Sequence, residues 1–74
     1  MLTEDLIKKN REKIAELIKN EIKKQNIAIE EIERQGISKH TVYSIIQAKN
    51  YNINSLLVVV EILRKENKLF KIIV

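Results

Sequence analysis

The chain has 74 residues, 45% of them hydrophobic and only 4% aromatic, with no cysteine, no proline and a single histidine. That length makes one domain (1–74) with a modest aliphatic core that needs dense packing or oligomerisation, and the composition excludes a disulfide framework, a Cys-based zinc site and a multi-histidine metal site. Net charge is +4 and the pI about 9.5, a mild bias toward a polyanionic partner.

No apolar run resembles a signal peptide or spans a bilayer, so a cytoplasmic protein without membrane contact is expected. A Gly-rich phosphate loop and a patterned carboxylate pair are both missing from the sequence. No catalytic residue, metal or cofactor is therefore expected, and an enzyme is not the reading.

The first helix is predicted over 4–25. Ile7, Ile14, Leu17, Ile18 and Ile22 recur at helical spacing. Glu4 and Asp5 suit its N-terminal end and Lys23 and Lys24 its C-terminal end, with Thr3 as a plausible N-cap. A break near Asn10 leaves residues 1–10 as either an N-terminal arm or a helix extension, so the core of the domain is read as 11–66.

A short second helix is predicted over 29–35. Ala28 stands at its N-cap, Glu31 is placed to bond back to the cap amide, and Ile27 and Ile32 have the spacing of a hydrophobic staple. Gly36 ends it, because glycine adopts the left-handed conformation without steric cost. A third helix over 38–48 repeats the grammar: Ser38 caps it, and Ile37 and Val42 form a second staple.

Asn50-Tyr51-Asn52 reads as a loop. Asn52 or Asn54 then caps a fourth helix over 53–67, whose run from Leu56 to Leu63 is apolar nearly all round. Three consecutive valines favour a strand locally, but length and the capping Asn favour helix. The apolar tail 67–74 either folds back on the core, or pairs with its counterpart in a second chain as a short strand or dimerisation tail. The fold class is thus all-α, with four to five helices.

Helices two and three, joined tightly at Gly36, have the layout of a helix-turn-helix, whose second helix enters the DNA major groove. Charge placement agrees: no Asp or Glu occurs from Arg34 through Val60, so a polar face there meets phosphates without repulsion.

Residues 11–66 resemble the Xre, or lambda-repressor-like, helix-turn-helix family of phage repressors, Cro proteins and antitoxins. The matching residues are Gly36, Ile37, Ser38, Thr41, Val42 and Ile45, followed by the loop and helix opening Lys49–Leu57. The family usually carries an apolar residue and then Ala at five and four residues before the turn glycine. Here these are Glu31 and Ile32: either Ile32 replaces the small residue and pushes helices two and three apart, or the turn is one residue shorter and Ile32 fills the larger apolar position, which is preferred because Glu31 should not be buried unpaired. Tyr43 replaces a residue that is commonly small and polar.

The N-terminal part of the third helix would reach base edges, which makes Ser38, Lys39, His40, Tyr43 and Gln47 the base-contacting candidates. Lys39 can donate to guanine, and Ser38 is first of all a helix cap. Asn26, Thr41, Lys49, Asn50 and Tyr51 suit phosphate contacts that orient the protein. The expected function is a sequence-specific DNA-binding transcriptional regulator associated with the nucleoid, a homodimer on double-stranded DNA. The alternative is a protein-interaction module on the same fold, such as an antitoxin or a phage-encoded inhibitor, that meets a toxin or other regulated protein through the fourth helix and the tail.

Overall fold

Four helices follow one another: α1 (Leu2–Gln25), α2 (Ile29–Arg34), α3 (Lys39–Ile46) and α4 (Ile53–Arg64). They come from a computed structural model that describes residues 2–72, Leu2 by its backbone alone. No strand occurs among the described residues, so the fold is all-α.

Helix α1 sets the length of the molecule. Its 24 residues at about 1.5 Å each account for nearly all of the 37 Å long axis. It runs through Asn10 without the expected break, and Thr3 lies inside it instead of capping it. Residues 2–10 are therefore a helix extension and not a separate arm, and Thr3 through Asn10 are exposed.

The end of α1 is a Schellman turn. Ile27 N–H donates to the Ile22 carbonyl (3.1 Å), Asn26 N–H donates to that of Lys23 (3.1 Å), and Asn26 takes φ +56°. Asparagine is one of the few side chains that tolerate this region.

Ala28 does precede α2, but no side chain caps that helix, so the bond expected from Glu31 is not made. Gly36 ends it with φ +110°, and its N–H donates to the Glu33 carbonyl at 3.0 Å. Ser38 caps α3 as expected, accepting a hydrogen bond from Thr41 N–H at 3.2 Å.

Helix α3 stops at Ile46, two residues short of the expected end at Ala48. Ala48 has φ +58°, and Lys49 N–H donates back to the Ser44 carbonyl at 2.8 Å. A second Schellman turn is thus built on alanine, where the left-handed conformation costs about 1–2 kcal/mol.

The valine run is helical. Asn52 caps α4 by accepting from Asn54 N–H at 2.8 Å. The helix buries Leu56, Val59, Ile62 and Leu63, which is the three-and-four spacing of one helical face; a strand would have buried alternate residues. It ends at Arg64, earlier than the expected 67.

Ile18, Ile32, Val42, Ile45, Val59 and Leu63 are wholly buried. One core cluster joins them to Ile37, Leu56, Ile62 and Phe70. Ile27 packs on the same core, so both expected staples, 27 with 32 and 37 with 42, contribute to it. Glu31 is exposed while Ile32 is buried, in line with Ile32 as the apolar residue of α2. Ile7, expected on the core face of α1, is 47% exposed, and the small Ala15 is buried.

The segment after α4 folds back on the domain. Phe70 is buried and Ile72 packs against the core, whereas Leu69 points to solvent. A polar clasp fixes its start. Asn67 Nδ2 donates to Glu21 Oε2 at 3.2 Å, and Gln25 Nε2 donates to Glu21 Oε2 at 2.5 Å and to the Leu63 carbonyl at 2.9 Å. Both neighbours of the Gln25 amide accept, so its Oε1 is left buried and unpartnered. Ile73 and Val74, the end of the expected dimerisation tail, lie outside the described residues.

Candidate nucleic-acid interface

Helix α3 divides cleanly. Val42, Ser44 and Ile45 are buried. Lys39, His40, Tyr43 and Gln47 fall within an arc of about 100° on the other side, at 3.6 residues per turn. His40, Tyr43 and Gln47 are exposed and Lys39 is half-buried. Four of the five base-contacting candidates therefore share one face. Ser38, the fifth, adjoins its N-terminal end but is occupied locally: its hydroxyl lies 2.9 Å from the Thr41 hydroxyl while it caps the helix.

The phosphate candidates are more scattered. Thr41 is half-buried and bound to Ser38. Lys49 and Asn50 are exposed in the connection between α3 and α4. Asn26 closes the C-terminal turn of α1, and its side chain remains exposed. Tyr51 packs half-buried against the core. Burial raises its phenol pKa and the nearby Arg11 charge partly offsets this, so the hydroxyl stays protonated and able to donate. Tyr51 thus anchors the α3–α4 connection to the core.

One feature of the sequence does not survive folding. The window without acids is not free of acids in space, because Glu30 of α2 lies against Lys39 of α3. The Lys39 Nζ to Glu30 Oε1 distance is 3.5 Å. The Glu30 carboxyl is held below its usual pKa first by its own backbone amide and then by Lys39. The ammonium most suited to reading guanine therefore already has an anionic neighbour.

Glu30 and Arg11 are the two participants that the sequence did not single out. Glu30 is nine residues from Lys39 and across a turn, so no helical spacing rule connects them. Arg11 lies beside Tyr51, forty residues away, through packing of α1 against the later helices. No helix is long and apolar enough to cross a membrane, and no group of three or more His, Asp or Glu side chains is placed to hold a metal ion, among the described residues.

No family model matches this chain, and no curated protein and no solved structure matches it significantly.

Proposed function

We propose that this chain is a sequence-specific DNA-binding regulator of the Xre, or lambda-repressor-like, type, acting as a homodimer on nucleoid DNA and catalysing no reaction. Helices α2 and α3 would be its helix-turn-helix, with α3 in the major groove. The observation that carries the reading is the outer arc of α3, where Lys39, His40, Tyr43 and Gln47 stand together behind a Ser38 cap with no acidic residue on the helix itself. Long donors on one exposed helical face are what base-edge recognition needs.

Titration of duplex DNA at increasing salt tests it. Affinity should fall steeply as phosphate contacts release counterions. A chain that binds no duplex at low salt overturns it.

A second reading, a protein-interaction module such as an antitoxin or inhibitor, is supported by one surface. Leu57 and Val58 of α4 are 57% and 41% exposed. They line a shallow apolar cleft with Gln35, Glu61, Ile62 and Lys65. The tail offers less than expected, because Phe70 is committed to the core. Absence of DNA binding, together with a partner protein that shields Leu57 and Val58, would favour this reading.

A further inference from the structure

The first turns of α1 leave one core-side apolar residue, Ile7, without a cover. Ile7 stands seven residues before Ile14 and so continues the core-facing side of the helix. Ile14 packs against the core and Ile18 is wholly buried, yet Ile7 is 47% exposed. It borders two shallow clefts, one shared with Asn10, Arg11, Ile14, Tyr51 and Ile53 and the other with Glu4, Lys8, Arg11 and Ala48. Ile53, at the start of α4, is 61% exposed.

Charge says what fits there. Along this side of α1 the order is Glu4, Ile7, Arg11, at spacings of three and four that keep all three on one face. Neither Glu4 nor Arg11 takes part in an ion pair among the described residues. A stripe that reads acid, apolar, base is complementary to itself when antiparallel and repulsive when parallel. A twofold axis at Ile7 sets Ile7 against the partner's Ile7 and Glu4 beside the partner's Arg11, twice over.

We propose that a second copy of this chain docks antiparallel along the N-terminal turns of α1, burying Ile7 and Ile53 in an isologous contact. None of the outer-arc residues Lys39, His40, Tyr43 and Gln47 lines either cleft. The contact supplies the homodimer of the DNA-binding reading but stands without nucleic acid.

Sedimentation equilibrium of the full chain without DNA tests this directly. The unsubstituted chain should show a concentration-dependent monomer–dimer equilibrium. Ile7→Lys should weaken it by about tenfold or more, and so should Glu4→Arg or Arg11→Glu alone, because each reversal turns both symmetry-related attractions into repulsions. Glu4→Arg and Arg11→Glu together should restore association to within about threefold of the unsubstituted chain. These positions are exposed or half-exposed, and circular dichroism should show each variant folded. A chain that stays monomeric at about 1 mM, a dimer indifferent to these substitutions, or a double reversal that fails to restore it would overturn the proposal. An intact dimer that binds no duplex would overturn the DNA reading alone.

Discussion

The Lys39 ammonium lies 3.5 Å from the Glu30 carboxylate, joining the start of α3 to the start of α2 across the Gly36 turn. Both side chains are about half exposed or more, so the pair contributes little to stability. On the proposed function its consequence is for binding, because a guanine or phosphate brought to Lys39 would have to compete with Glu30.

Glu30→Gln should therefore raise affinity for duplex DNA by about two- to fivefold at low salt. Lys39→Ala should lower it by about 1–3 kcal/mol if Lys39 makes a base contact. In the Lys39→Ala background Glu30→Gln should have no effect. Fluorescence anisotropy with a cognate duplex reads all three, and a Glu30→Gln effect that persists without Lys39 would show the competition to be absent.

Phe70 ties the segment after α4 to the core. Phe70→Ala should cost about 3–5 kcal/mol, read as a lowered denaturation midpoint, while Leu69→Ala, at a position 88% exposed, should be near neutral. Equal and small effects would mean that the tail does not pack on its own domain in solution.

Ala48 carries a backbone conformation suited to glycine. Ala48→Gly should stabilise the fold by about 1 kcal/mol, because it removes the steric cost of φ +58°. Gly36→Ala should do the reverse and by more, because φ +110° lies beyond the left-handed well that alanine can occupy. A Cβ at Gly36 would meet nothing within 4 Å, so that loss would come from the backbone alone. Thermal melts of both variants check the pair of signs.

Glu21 makes the clasp sensitive to acid. The hydrogen bond from Gln25 holds its carboxyl below the ordinary value near 4.5, against the upward push of burial, and Asn67 and Lys24 add to the lowering. A carboxylate with a depressed folded pKa stabilises the fold above its unfolded value, and this is lost as pH falls through the folded one. Glu21→Gln should therefore be less stable than the unsubstituted chain by about 1–2 kcal/mol near neutral pH, with the gap closing well below about pH 4.5. Urea titrations across this range measure it, and a gap that stays constant with pH would contradict it.

Much of the fold was legible because its signals are local. Ser38, Asn52 and Gly36 act on backbone groups a few residues away, and each ends or begins a helix where its chemistry requires. The two staples and the stripe of α4 belong to the same short range. Where local chemistry is ambiguous the sequence misleads: Ala48 has no feature that announces a positive φ, and the helical pattern of α3 continues two residues beyond its end at Ile46. Thr3 reads as a cap, but the helix already includes Leu2.

The candidate site was half legible for the same reason. Helical spacing placed Lys39, His40, Tyr43 and Gln47 on one face without any tertiary information. The sequence by itself thus determined the helices, most of their caps and the polar arc of α3, all of which depend on neighbours within a turn or two. Only the tertiary structure decided that Glu30 stands beside Lys39, that Tyr51 is anchored to the core, that Phe70 folds back and that Ile7 stays uncovered. Each of these depends on where a distant helix comes to rest, and that is settled by how the aliphatic side chains of Ile18, Ile32, Ile45 and Leu63 fill one shared interior.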